Sequence, residues 1–328
     1  MIRVDGVSKE YQVARRKPGL TGAVRSLFYR TYDRKVAVND VSFNIDSGEM
    51  VGYIGANGAG KSTTIKMLCG ILTPTHGHIE VAGVIPYRSR QANARNIGAV
   101  FGQRTQLFWD IPVRESFQLL RHIYKIPLSR YEENMALFSE VLSLEPLLGR
   151  PVRQMSLGEK MRCELAAAFL NDPLVVYLDE PTIGLDVSVK ARIRSFVKEM
   201  NRQRGTTVIL TTHDMQDIEA ICTRIIMIDA GRILYDGDLP AIKQRFGHQR
   251  SIRFDLEDPA AFTLPAGLGE TTTASRDDSD GVVVSFDAHV TSAAEVIQAV
   301  MSSCAVLDLT VKEPSIEAIV KEIYERGM

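Results

Sequence analysis

Residues Gly55 to Ser62 read GANGAGKS, a G-x-x-x-x-G-K-S run ending in a lysine and a hydroxyl. Such a run can hold a chain of phosphates. Its glycines let successive backbone N–H groups converge on phosphate oxygens, and a helix starting directly after them adds partial positive charge. Asn57, Gly58, Ala59, Gly60 and Thr63 belong to the same cradle. Lys61 is spaced to reach the β and γ phosphates, and the Ser62 hydroxyl to ligate Mg²⁺. A second chemical pair, Asp179-Glu180, closes the apolar run VVYL. The carboxyl end of a buried parallel strand is where such sheets bind ligands. Asp179 would reach the metal through water there, and Glu180 could polarise an attacking water as general base.

A different helix start lies in QMSLGEKMRC, Gln154 to Cys163. Ser156 is a good N-cap, and Glu159, three residues later, completes an S-x-x-E capping box. Gly158 sits in the first turn, where it costs helix stability relative to Ala. The stretch reads as an ordinary helix beginning or as an N-terminus kept open for a ligand.

The elements that must position these residues follow from pattern. Residues 1–14 and 36–54 read as strands, with VSFNI (41–45) alternating and MVGYIG (50–55) continuously apolar. Between them, 15–35 is a basic insertion with interleaved Phe28, Tyr29 and Tyr32, either an amphipathic arm or a solvated loop. Helices are expected over 63–69, 113–124, 132–142 and 157–170, punctuated by Pro127, Pro146 and Pro151. Strands 174–179, 207–212 and 224–229 then alternate with helices 187–203 and 214–221, which argues a parallel sheet with helices on its faces. Composition shifts near Gly247. Strands 250–256, 270–276, 282–286 and 305–311 and helices 291–302 and 314–326 predict a small α+β domain, with DDSDG (277–281) as a hairpin turn. His76-Gly77-His78 reads as a turn before a strand rather than a metal pair.

Composition narrows the function classes. The chain has 328 residues, 45% of them hydrophobic, enough for one large or two ordinary domains with proper cores. Its 39 basic and 40 acidic residues nearly cancel, which disfavours a strongly basic nucleic-acid binder. Cys69, Cys163, Cys222 and Cys304 are scattered without zinc spacing and predict reduced, buried thiols in a cytosolic setting. No apolar segment of signal-peptide type or bilayer-spanning length is present.

The chemical residues together resemble the ATP-binding-cassette (ABC) ATPases. GANGAGKST, Gln103 in VFGQRTQ, SLGEK, VVYLDEP, Ile183-Gly184-Leu185-Asp186 and His213 in LTTHD occur in the family's order, over about residues 1–245. The resemblance implies an α/β fold with a RecA-like parallel-sheet core, an N-terminal antiparallel β subdomain and a helical subdomain at about 104–172. Residues 1–246 would form the cassette and 247–328 the small C-terminal domain.

It further implies ATP and Mg²⁺ as cofactors. Tyr11 in VSKEY matches the aromatic that stacks on adenine, Gln103 a contact to Mg²⁺ and the attacking water, and His213 a contact to the γ-phosphate. Asp186 matches a loop that communicates between subunits, and Ser156 and Gly158 match the signature that covers nucleotide held by another cassette. Leu157 stands where the family usually has its first glycine, and Glu159 where it has glutamine. Two cassettes pack head to tail in the family, so a second copy of this chain is an expected partner. Separate transmembrane permease subunits are the other, which would place the chain on the cytoplasmic face of the membrane. Leu107, Phe108 and Trp109 would lie near the docking groove, or Trp109 would pack the helical subdomain. No nucleic-acid partner is expected.

The wording around Gln103 and the signature resembles bacterial drug-resistance exporters, which implies a hydrophobic small molecule or lipid as substrate. The basic insertion also resembles that of polysaccharide-export ATPases. A soluble ABC ATPase acting on nucleic acid or ribosomes is the competing class. Relatives of that kind carry two cassettes or a long coiled coil between phosphate loop and signature; one cassette is read here, and Lys61 and Ser156 lie too close for the coil. A non-hydrolysing regulatory cassette is disfavoured by the presence of Glu180 and His213.

Overall fold

The computed structural model describes residues 1–14, 32–102, 105–246, 249–269, 271–277, 279–312 and 316–326. They form two compact units, Met1–Gly237 and Asp238–Met328.

The first unit opens with β1 (Ile2–Ala14) and β2 (Tyr32–Ile45), paired antiparallel. Residues 32–35, read from the sequence as the end of the insertion, are strand. Tyr32 to Lys35 run opposite Ala14 to Tyr11, and Arg34 pairs with Glu10 across the two strands. Cross-strand charge pairing of this kind supports a ladder whose residues look like a solvated loop. The rest of the predicted insertion, 15–31, lies outside the described residues.

The buried strand β3 (Met50–Gly55) leads through the glycine loop into α1 (Lys61–Leu68). Next comes β4 (His76–Val81), which pairs with β1 and gives a three-stranded sheet of order β2-β1-β4. His76, Gly77 and His78 are therefore inside a strand, not in a turn before one. Gly77 allows it: its φ is 84°, and a Cβ there would fall 2.3 Å from the Gly6 carbonyl oxygen. Then come α2 (Arg90–Asn96) and β5 (Ile97–Phe101).

The helical region holds α3 (Val113–Tyr124), α4 (Leu128–Leu142) and α5 (Leu157–Phe169). α4 starts directly after Pro127, a turn earlier than its apolar pattern shows, because proline is suited to the position before a first helical turn. Within this region Leu107 is buried at 4% exposure. Phe108 and Trp109 are 44% and 52% exposed, and Trp109 lies under the Lys160 ammonium at 5.7 Å. Strand β6 (Val175–Asp179), α6 (Val187–Arg204), β7 (Thr207–Thr211), α7 (Met215–Ile221), β8 (Arg224–Asp229) and β9 (Arg232–Asp238) follow.

The main sheet is six-stranded, with order β5-β6-β7-β3-β8-β9. The strands from β5 to β8 in that order run parallel. Their continuous apolar runs fit burial on both faces. Val51, Tyr53, Tyr177, Ile209 and Ile226 share a core with Ile2, Val4 and Phe43 of the antiparallel sheet. The ends of β3, β6 and β7 thus come to one edge, where the chemical residues are carried. No described helix is long and apolar enough to cross a membrane.

In the second unit, α8 (Leu239–Phe246) contacts α10 (Ile316–Arg326). Strands β10 (Gln249–Leu256), β11 (Thr273–Arg276), β12 (Val282–Asp287) and β13 (Val306–Lys312) form an antiparallel sheet of order β11-β12-β10-β13. Alternate residues Ile252, Phe254, Val282, Val284 and Phe286 pack on Val296 and Val300 of α9 (Ala293–Ser303). Between β11 and β12 the Asp277 carboxylate accepts hydrogen bonds from the N–H groups of Ser279 and Gly281, closing the hairpin that the DDSDG run predicts.

Candidate active site

A cleft of about 1100 Å³ gathers residues from several chain segments, the chemical ones from four of them. Tyr11 comes from β1; Asn57, Gly58, Gly60, Lys61, Ser62 and Thr63 from the loop and α1. Asp179 and Glu180 come from the end of β6, and His213 from beyond β7. Ala59 points the other way, 3% exposed in the core, with its carbonyl accepting from the Gly231 N–H at 3.0 Å.

The loop is shaped by Gly60. Its φ is 113°, and a Cβ would meet the Ala37 carbonyl oxygen at 2.5 Å, so no other residue fits without a shift. Gly60 is also the N-cap of α1 and supplies no side-chain cap. The helix N-terminus is left open toward the cleft, as an anion site requires. Lys61 is only 7% exposed, and its Nζ donates to the Gly55 oxygen at 2.6 Å and to Ala56 at 3.2 Å. Burial pulls its pKa down, while Glu180 and Asp179 act in the opposite direction.

Ser62 and Asp179 meet where a hard cation would sit. The serine hydroxyl donates to Asp179 Oδ2 at 3.2 Å, and Thr211 donates to Oδ1 at 2.6 Å. A hydroxyl facing a carboxylate beside a phosphate loop is an oxygen donor set suited to Mg²⁺. Thr211 was not singled out from the sequence. It stands opposite Asp179 in the β6–β7 register, a relation that only strand pairing reveals.

Glu180 turns the chain out of β6 with φ at 56°. Its N–H donates to the Thr211 oxygen at 2.9 Å, and its Oε1 lies 3.2 Å from His213 Nε2. Burial raises its pKa above the ordinary carboxylate value; His213 and Lys61 pull it back down. A carboxyl with a raised pKa is a stronger proton acceptor than an ordinary glutamate. Gly102 lies close below, its N–H bonded to the Asp179 oxygen at 3.0 Å. Gln103, the predicted contact to metal and water, lies outside the described residues.

Tyr11 is partly buried at the cleft rim, with the Lys9 ammonium 5.5 Å from its ring. Ser156, Gly158 and Asp186 are not among the residues that line the cleft. Ser156 caps α5 with a full capping box: its hydroxyl accepts from the Glu159 N–H at 3.3 Å, and Glu159 Oε2 accepts from the Ser156 N–H at 2.8 Å. Arg150 holds the other Glu159 oxygen at 2.7 Å, a partner the sequence did not suggest. The Ser156 N–H and the Arg150 guanidinium together lower the Glu159 pKa. A Cβ on Gly158 would stand 3.3 Å from a Val189 methyl of α6. Asp186 caps that helix, accepting from the Val189 N–H at 2.9 Å and from Ser188 Oγ at 2.7 Å.

A phosphate loop between β3 and α1, with acidic strand ends beside it on a parallel sheet, defines a nucleotide-binding α/β cassette. The sequence model described as ABC transporter matches residues 38–183. ABC transporter ATP-binding protein NatA of Bacillus subtilis is 31% identical over 206 residues, covering 63% of this chain and 83% of that protein. Nod factor export ATP-binding protein I of Burkholderia pseudomallei (strain 1710b) is 37% identical over 212 residues, covering 63% and 68%. A solved dimeric bacterial ABC transporter cassette superposes with a TM-score of 0.60 at 25% identity, covering 73% of this chain and 99% of that one. The chain belongs to the ABC transporter family, as an ATP-binding cassette of the ATPase type.

Proposed function

We propose that this chain is the ATP-hydrolysing subunit of an ABC export complex, driving a separate permease by ATP-dependent closure of a head-to-tail dimer. The observation that carries the hydrolytic reading is the Glu180–His213 pair, 3.2 Å apart at the mouth of the phosphate cleft. Export is supported by the similarity to a Nod factor export ATP-binding protein, and the dimer by the similarity to a cassette solved as a dimer. The proposed cargo is a hydrophobic small molecule, drug or lipid, and the proposed location is the cytoplasmic face of the membrane.

Phosphoryl transfer to water depends on positioning and charge stabilisation more than on covalent chemistry. Tyr11 stacks on the base. The loop N–H groups, from Asn57 to Thr63, and the Lys61 ammonium bind and orient the phosphates. His213 contacts the terminal phosphate, and Glu180 takes the proton of the attacking water. Ser62 and Asp179 would hold Mg²⁺, with Gln103 as a further ligand; bound there, the ion neutralises phosphate charge. Ser156 and Gly158 of one copy cover the phosphate held by the other, with Asp186 at the junction.

Glu180→Gln tests the base. Turnover should fall roughly 10²–10³-fold while ATP binding persists, and an ATP-bound dimer should accumulate in size-exclusion chromatography. Normal turnover would remove Glu180 from the mechanism. The pH profile gives a second check. The base works deprotonated, so a raised pKa puts the acid limb of kcat above the ordinary glutamate range. His213→Ala removes a charge that lowers this pKa, and should move the limb further up.

A further inference from the structure

The two residues proposed to act on water and phosphate lie on different chain segments, and one buried carboxylate connects those segments. Asp217 of α7 is fully buried. Its Oδ2 accepts a hydrogen bond from the hydroxyl of Thr182, two residues beyond Glu180. The same oxygen accepts from the hydroxyl of Thr212, the residue before His213, at 3.4 Å. Its Oδ1 accepts from Arg194 Nε of α6 at 2.6 Å. Thr182 and Thr212 are buried at 1% and 2% exposure. Neither they nor Asp217 lines the nucleotide cleft.

Neighbouring contacts complete the frame. The Thr212 hydroxyl also accepts from the Asp214 N–H at 3.0 Å, and Asp214 is anchored to Lys190 of α6 at 2.6 Å. The segment on both sides of His213 is therefore tied to α6 through carboxylates. A buried charge is a costly way to fill space, and a well-packed apolar group often serves stability as well. What a carboxylate adds is directional acceptance from several donors at once.

We propose that Asp217 is a positioning residue for ATP hydrolysis: through Thr182 and Thr212 it fixes the segment after Glu180 against the segment before His213, and so sets the spacing of the pair. The proposal rests on the roles given above to Glu180 and His213. A small displacement of reacting groups costs rate rather than nucleotide affinity.

The test uses the full chain, with Thr182→Val, Thr182→Ser, Thr212→Val, Thr212→Ser and Asp217→Asn beside Glu180→Gln. Valine removes the hydroxyl at similar volume, and serine keeps it. Each valine variant should lower kcat by about 10–100-fold, with KM for ATP changed by less than about twofold. Each serine variant should stay near the parent, and Asp217→Asn should fall with the valine variants. A thermal melt accompanies every measurement. Parent-rate turnover by the valine variants with a lowered melt would make the cluster merely structural and overturn the proposal. So would a raised KM at unchanged kcat, or equal losses in serine and valine variants. Should Thr182→Val fail to fold, the Thr212 pair gives the same split. Normal turnover by Glu180→Gln overturns the catalytic pair and this proposal together; a slow Glu180→Gln beside a fast Thr182→Val overturns the positioning role alone.

Discussion

Two helix starts in this chain carry glycine in or next to their first turn, for different reasons. At α1, Gly60 is the cap itself, left-handed and against a backbone oxygen, and no side chain closes the helix end. At α5, Ser156 and Glu159 close the end with a capping box, and Glu159 is held a second time by Arg150. Gly158 there lacks the left-handed φ of Gly60, and a Cβ on it would press on a Val189 methyl at 3.3 Å, a side chain rather than a backbone oxygen. The first end opens onto the cleft, where the proposed function puts the phosphates. The second is partly satisfied by its own side chains. The box takes the N–H groups of Ser156 and Glu159, and those of Leu157 and Gly158 have no partner among the described residues. A helix end of this second kind is stable alone and can still offer donors to a ligand brought by another molecule.

Substitutions can break or sharpen this contrast. Lys61→Ala should have the largest effect, lowering ATP affinity by about 10²-fold or more in a calorimetric titration, if the ammonium is the phosphate donor proposed above. Unchanged affinity would sink the open-end reading of α1. Gly60→Ala should destabilise the chain by more than about 2 kcal/mol in urea unfolding, from left-handed strain and the carbonyl clash. Gly158→Ala should stay within about 1 kcal/mol of the parent, yet lower ATPase activity if the proposed dimer forms. If both alanines cost the same stability, the two starts do not differ as described. Ser156→Ala should cost about 1 kcal/mol through the lost cap. The smallest effect belongs to Glu159→Gln. That carboxylate is already engaged by Ser156 and Arg150, so turnover should change less than about threefold, because a partly exposed ion pair contributes little. A large gain would mean that its charge acts on the nucleotide.

Much of this was legible in the sequence. The glycine loop, the buried strands and the capping box are local patterns, and a few adjacent residues specify each. The elements from His76 to Phe101 were less legible. β4 begins with His-Gly-His, which looks like a turn until Gly77 is seen pressed against the Gly6 carbonyl. α2 buries only Asn93 and so lacks an apolar stripe. The Tyr32–Lys35 end of β2 is polar and acquires strand character from pairing with β1. Around the site, Thr211, Arg150 and the Asp217 cluster make their hydrogen bonds across strands or loops. Their partners are set by register and packing, which no short motif encodes.

The left-handed backbone at Glu180 has a consequence for how this site would evolve. A non-glycine residue with φ at 56° holds local strain of roughly 1–3 kcal/mol. Glycine at that position would relax the turn out of β6 and remove the carboxylate. A population selected only for resistance to heat should therefore drift toward Glu180→Gly and lose turnover as it does. Retention of glutamate under such selection would mean that the turn out of β6 stores no such strain.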